Sequence, residues 1–304
     1  MSAGGGANAF KAVLFALGAN FAIAVTKYVA AFYTGSGSML AEAVHSTADC
    51  GNQVLLLLGM KRSKRPPSDE YPMGYGKETY FWSFIVAIML FSVGGLFSIY
   101  EGWHKLHSTE PLSYPLLALG VLAFGIAAES VSMWGCMREV NKVRGTQSLW
   151  TWFRRTRNAE LVVIFGEDLA ALLGLTFAFI AVLAAWLTGN VVYDAIGSIA
   201  IGVLLVVVAI MVGVEVKSLL VGQGVETEVR AEMITFLQSQ GMVEKVLELL
   251  TLHMGSDVMV AVKAKMREYP NQAEMVEGIN AIEGLFKERF PQTAWIFFEP
   301  DVRA

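Results

Sequence analysis

Charge is scarce in this sequence. Charged residues make up 16% of the 304 positions, against roughly a quarter in an average soluble domain. Hydrophobic residues make up 55% and the mean hydropathy is +0.51, which excludes a disordered chain and argues against a wholly soluble one. The net charge is −4, so the basic surface that a nucleic-acid partner requires is missing. Cysteine is nearly absent. Cys50 and Cys136 both fall in or beside apolar segments, which leaves no disulfide framework and no CxxC zinc module. Both read as small buried hydrophobes. No His-Glu-x-x-His pair occurs and no catalytic serine stands out, so the chain does not read as an enzyme.

Long apolar runs are what the sequence has in quantity. A transmembrane helix needs about 20 mostly apolar residues, and six segments qualify: roughly Ala7–Tyr33, Ser38–Met60, Thr79–Tyr100, Tyr114–Gly135, Ala159–Leu187 and Val191–Val214. The first is too long for a signal peptide and lacks a clear cleavage site, so a retained first helix is expected. Loop charge then sets the orientation. Segments 61–78 and 136–160 together hold eleven Lys and Arg residues, whereas the loops on the other side hold only Lys105. The two basic loops and both termini are therefore expected on the cytoplasmic face, or the matrix face in an organelle.

After about Ser218 charges become frequent and apolar runs shorten. Val229, Met233, Phe236 and Leu237 share one helical face, and Val258, Val260, Val262, Ala264 and Met266 alternate as in a half-buried strand. With a strand at 245–253, a helix through Met275, Ile279, Ile282 and Phe286 and a last strand at 293–298, the order is α-β-β-α-β, helices on one face of a three-stranded sheet. The fold class expected is thus an α-helical membrane protein, with six spans over residues 1–218 and a small cytoplasmic α+β domain over residues 219–304. So small a core favours dimerisation through this domain.

Ionisable groups inside a span are costly and mark function by default. His45 and Asp49 in span two are four residues apart, hence on one helical face. An imidazole nitrogen and a carboxylate oxygen so placed form a ligand pair that zinc accepts. Span five contains the adjacent carboxylates Glu167 and Asp168. Asp49 lies 11 residues from the cytoplasmic end of span two and Asp168 lies 9 from the start of span five. Their depths are about 16 and about 14 Å at 1.5 Å per residue, near the middle of a core about 30 Å thick. The expected ligand set is His45, Asp49, Asp168 and either Glu167 or a water. Glu129 in span four reads as a structural polar partner, a proton relay or a helix-end group. Lys27 is expected to snorkel towards the outer interface. Gly94-Gly95 and Gly197 with Gly202 are expected to permit close helix packing.

These residues resemble the cation diffusion facilitator family over nearly the whole chain. Gly35-Ser36-Gly37-Ser38-Met39-Leu40-Ala41-Glu42 leading to His45-x-x-x-Asp49 is similar to its first half-site. The loop from Arg65 to Lys77 resembles its Pro-rich, Gly-Tyr-Gly loop, and Asp194-Ala195-Ile196-Gly197-Ser198 and Ser218-Leu219-Leu220-Val221-Gly222 match the two ends of span six. The tail is similar to the family's metallochaperone-like domain. Ile164 stands where the usual zinc members carry His or Asp, whereas Glu167-Asp168 and Cys50-Gly51-Asn52-Gln53 resemble the branch containing the mitochondrial zinc exporter. The resemblance implies a homodimeric exporter, joined through the C-terminal domain and membrane helices, that moves zinc or a related divalent ion as its substrate against protons. A bacterial inner membrane is the expected location. Read without the resemblance, the residues also admit a transporter of another cation or solute, or a non-transporting membrane scaffold.

Overall fold

A computed structural model describes residues 5–35, 37–107 and 114–303. Six long helices follow one another: α1 (Gly5–Thr34), α2 (Gly37–Ser63), α3 (Glu78–Leu106), α4 (Pro115–Arg144), α6 (Ala159–Thr188) and α7 (Val192–Val221), with a short α5 (Leu149–Arg155) before α6. Among the described residues α3, α4, α6 and α7 are long and apolar enough to cross a membrane. The 27 residues of α2 would extend about 40 Å. It is less apolar because it carries Glu42, His45 and Asp49 as well as Lys61 and Arg62. The chain then continues through α8 (Thr227–Ser239), β1 (Val243–Met254), β2 (Asp257–Met266), α9 (Gln272–Arg289) and β3 (Thr293–Pro300). This is the expected fold class, including the α-β-β-α-β order.

The chain divides into two compact units. The first comprises residues 1–61, 79–154 and 158–217, and the second comprises 62–78, 155–157 and 218–304. In the first unit, backbone meets backbone where α3 crosses α7. A Cβ on Gly202 would lie 2.7 Å from both the Gly95 carbonyl oxygen and the Ile99 nitrogen, so only a residue without a side chain lets the two helices approach this closely. Just there α3 winds as a π-helix from Leu90 to Leu96, a wider turn with i→i+5 hydrogen bonds that is often found at functional sites.

The second unit carries the sheet, in order β1-β2-β3, with β1 antiparallel and β3 parallel to β2. The β2 residues Val258, Val260, Val262 and Ala264 are buried against Met233 and Leu237 of α8 and Ile282 and Phe286 of α9. Alternation along β2 delivers every second residue to the helix-covered face. Phe236, Phe286 and Phe290 close the core with centroids 4.8–5.9 Å apart. The Gly-Tyr-Gly loop belongs to this unit. Gly76 abuts the β1–β2 turn so tightly that a Cβ would fall 1.9 Å from the Met254 carbonyl oxygen.

His253, at the end of β1, donates its backbone N–H to the Gln223 carbonyl at 3.0 Å, and its Nδ1 is buried without a partner. Burial, and then the nearby Arg157 charge, hold its pKa below the ordinary 6.5. The unfolded chain therefore takes up the proton first, and stability is complete above about pH 6.5 and declines as pH falls below it. His253→Asn is expected to remove that part of the acid sensitivity. Amide-exchange protection of β1 and β2, corrected for intrinsic rates, would then change less between pH 7.5 and pH 5.5 in the variant than in the native protein.

Candidate metal site

In α2, residues spaced three or four apart form one inward face: Glu42, His45, Asp49 and Asn52 are all buried. His45 Nε2 and Asp49 Oδ2 are 3.7 Å apart. That is too long for a hydrogen bond. It is close to the edge of a zinc tetrahedron, about 3.4 Å for ligands 2.0–2.2 Å from the ion. The imidazole lies against the π-segment of α3, where a Cβ on Gly94 would sit 3.6 Å from His45 Nδ1.

Two contacts align α6 antiparallel to α2. Glu42 lies against Gly174, whose Cβ would come within 2.9 Å of Glu42 Oε1, and Asn52 lies beside the Glu167 carboxylate. Residues 167–174 of α6 thus oppose residues 42–52 of α2, with the His45–Asp49 pair between the two contacts. Glu167 is 8% exposed. Asp168 is half-buried and turns towards α4, where Ser132 Oγ donates to its Oδ1 at 3.2 Å. Consecutive helical residues diverge by about 100°, so the two carboxylates address different helices, Glu167 facing α2 and Asp168 facing α4. Among the described residues, no three His, Cys, Asp or Glu side chains converge on one metal position. The structure therefore joins His45 to Asp49, sets Glu167 across from them and places Asp168 to the side.

Ordinary packing does not account for the polar atoms left over. Both His45 nitrogens, Asp49 Oδ1, both Asn52 amide atoms, Glu167 Oε1 and Asp168 Oδ2 are buried and lack a hydrogen-bond partner. Buried polar groups are nearly always paired, and each one left unpaired costs about 1–3 kcal/mol. This many imidazole, amide and carboxylate lone pairs on facing helices suits a divalent cation as substrate.

Lys27 departs from its expected place. It does not snorkel but is 1% exposed, with Nζ 3.0 Å from Glu42 Oε2 and 2.8 Å from Ser46 Oγ. The partner lies on another helix, and sequence spacing within α1 carries no signal of it. The expectation that both cysteines are buried holds for Cys136, whereas Cys50 is half-buried; both are free. In the second unit Lys263 Nζ pairs with Asp301 Oδ2 at 2.8 Å.

The profile of the cation efflux transmembrane domain matches residues 13–221. The chain is 32% identical over 238 residues to metal tolerance protein C4 of Arabidopsis thaliana, covering 77% of this chain and 52% of the relative. It is 29% identical over 247 residues to the human mitochondrial proton-coupled zinc antiporter SLC30A9, covering 81% and 44%. With the magnetosome protein MamB of Magnetospira sp. it shares 23% over 235 residues, covering 76% and 74%. The chain spans about half the length of the first two relatives.

Proposed function

Since the chain belongs to the cation efflux family, also called the cation diffusion facilitators, we propose that it carries a divalent transition-metal ion, zinc foremost, across a membrane in exchange for protons. One observation bears most of the weight: the unpartnered nitrogen and oxygen atoms of His45, Asp49 and Glu167, buried on facing helices. Intramembrane groups of this kind are expensive unless a substrate uses them. Zinc as the ion, and protons as the counter-substrate, follow from the similarity to the mitochondrial proton-coupled zinc antiporters SLC30A9.

The chemistry requires a site that exchanges. Metal binds neutral imidazole and ionised carboxylate, so binding releases protons and protonation expels the ion. His45 and Asp49 present one half of the coordination sphere from α2, and Glu167 and Asp168 provide the other half from α6. Relative movement of these helices opens the position to one side at a time, as in other secondary transporters. The basic loops and both termini lie on the side from which metal is exported, and the protein works as a homodimer in a bacterial inner membrane. Purified protein in liposomes loaded with a zinc-sensitive dye tests this reading. With zinc supplied outside and the lumen more acidic than the bath, zinc uptake is expected that a protonophore abolishes. Zinc movement indifferent to the proton gradient would refute the coupling, and no zinc movement at all would refute the substrate.

A further inference from the structure

The end of α2 away from the basic 61–78 loop is held from two sides by side chains of other helices. Gly37, the first residue of α2, donates its backbone N–H to Asp194 Oδ2 at 2.9 Å. Asp194 stands in the first turn of α7 and is 1% exposed. The first N–H groups of a helix have no partner within it, and α2 has no acid in its own first turn. An acid from α7 takes that place, where the helix dipole favours negative charge. Lys105, near the end of α3, donates Nζ to the Gly35 carbonyl. Its stem crosses Gly37 so closely that a Cβ there would lie 2.8 Å from Lys105 Cγ.

The two helices that hold α2 form one block. Below Gly95 and Gly202 they touch again, since a Cβ on Gly102 of α3 would lie 2.7 Å from the Ala195 carbonyl oxygen of α7. Asp194 and Lys105 thus project from a pair packed backbone to backbone, whereas α2 carries His45 and Asp49 and meets α6 where Glu42 lies against Gly174. His45 lies eight residues along α2 from Gly37, about 12 Å at 1.5 Å per residue. The bond between Gly37 and Asp194 therefore joins the metal-bearing helix to the α3–α7 pair, on the far side of the half-site from the basic loops.

We propose that Asp194, with Lys105, is a latch on that far side. Its bond to Gly37 keeps the far side closed while metal enters past the basic loops, and it breaks when α2 parts from the α3–α7 pair to release the ion. Asp194 acts through α2, as a positioning residue. This inference rests on the transport reading. A bond made in only one of two states shifts the population towards that state, and a binding face that is open less often shows a proportionally weaker apparent affinity. Loss of the latch therefore raises the half-saturating zinc concentration on the basic-loop side, with a smaller change in maximal rate.

Two measurements on the full chain test the proposal. The first is amide exchange in lipid nanodiscs without metal, read by mass spectrometry. In Asp194→Ala, residues 37–43 are expected to exchange roughly tenfold faster as the far end opens locally, while residues 57–63 at the other end of α2 exchange more slowly. The second is zinc uptake by everted membrane vesicles, in which zinc meets the basic-loop face. There the half-saturating concentration should rise several-fold in Asp194→Ala. Asp194→Asn keeps an oxygen acceptor and should restore most of both. If Asp194→Ala does not fold, Lys105→Met provides the second variant, with the same directions and smaller changes. The proposal is overturned if exchange over 37–43 stays native in the variant that folds, or if half-saturating zinc is unchanged. Exchange over 57–63 that is as fast as native or faster overturns it too, because a cap that merely supports the fold has no reason to protect the opposite end. Native vesicles that take up no zinc would instead refute the transport reading, and the opposed changes at the two ends of α2 would still decide whether the latch exists.

Discussion

Zinc flux in proteoliposomes is expected to fall by about a hundredfold or more when Asp49 is replaced by alanine. Changing a residue that merely supports a metal ligand typically costs 10–100-fold, and loss of a ligand itself should cost at least as much. Asp49 is one of two groups already held at tetrahedral spacing, 3.7 Å from His45 Nε2. Its removal leaves α2 with a single donor, too few to compete with water for the ion. Asp168→Ala is expected to abolish flux as well, by removing a carboxylate from α6. The geometry adds a comparison. Glu167 is the more buried of the adjacent pair and the one beside Asn52, so Glu167→Gln should reduce flux at least as strongly as Asp168→Ala. Native flux in both Asp49→Ala and Asp168→Ala, with native elution on size exclusion, would disprove the site.

Lys27→Met alone is expected to destabilise the membrane unit by about 3–5 kcal/mol, because it leaves Glu42 as an uncompensated buried charge. Both partners are almost wholly inaccessible, at 1% and 0% exposure, so water cannot replace the lost ammonium. Glu42→Met is expected to cost a similar amount by stranding Lys27. The double variant Lys27→Met/Glu42→Met should recover most of the loss, since a well-packed apolar pair is often no less stable than a buried ion pair. Methionine suits position 42 because it is unbranched and flexible, and the side chain there must lie against Gly174 of α6. Denaturant titration of the four proteins completes a double-mutant cycle. Strictly additive losses would mean that the two groups stabilise the fold separately.

Much of the fold was legible because it depends on local periodicity. Apolar runs the length of a bilayer core marked the six long helices. Alternation at Val258, Val260, Val262 and Ala264 marked β2 and the buried face of the sheet. His45 and Asp49 share a face through helical spacing alone, and the structure keeps them together. The same logic stopped at Glu167 and Asp168. Adjacent residues point about 100° apart, and the sequence does not reveal which of them turns to α2.

Composition and periodicity therefore determined the type and order of the long helices and of the α-β-β-α-β elements, though neither the short α5 nor the C-terminal ends of α3 and α4, and named the intramembrane groups from which a metal site can be built. Tertiary structure alone decided how each helix is rotated about its own axis and which helices touch. Glycine contacts such as Gly95 with Gly202 and Gly174 with Glu42 set those rotations. They paired Lys27 with Glu42, turned Glu129 inward and sent Asp168 to Ser132. The physical reason is one of range. A helix's own hydrogen bonds and hydrophobic stripe are written within a few residues of one another, whereas its neighbours are chosen by close packing between separate segments, 15 residues apart for Lys27 and Glu42 and 36 apart for Ser132 and Asp168.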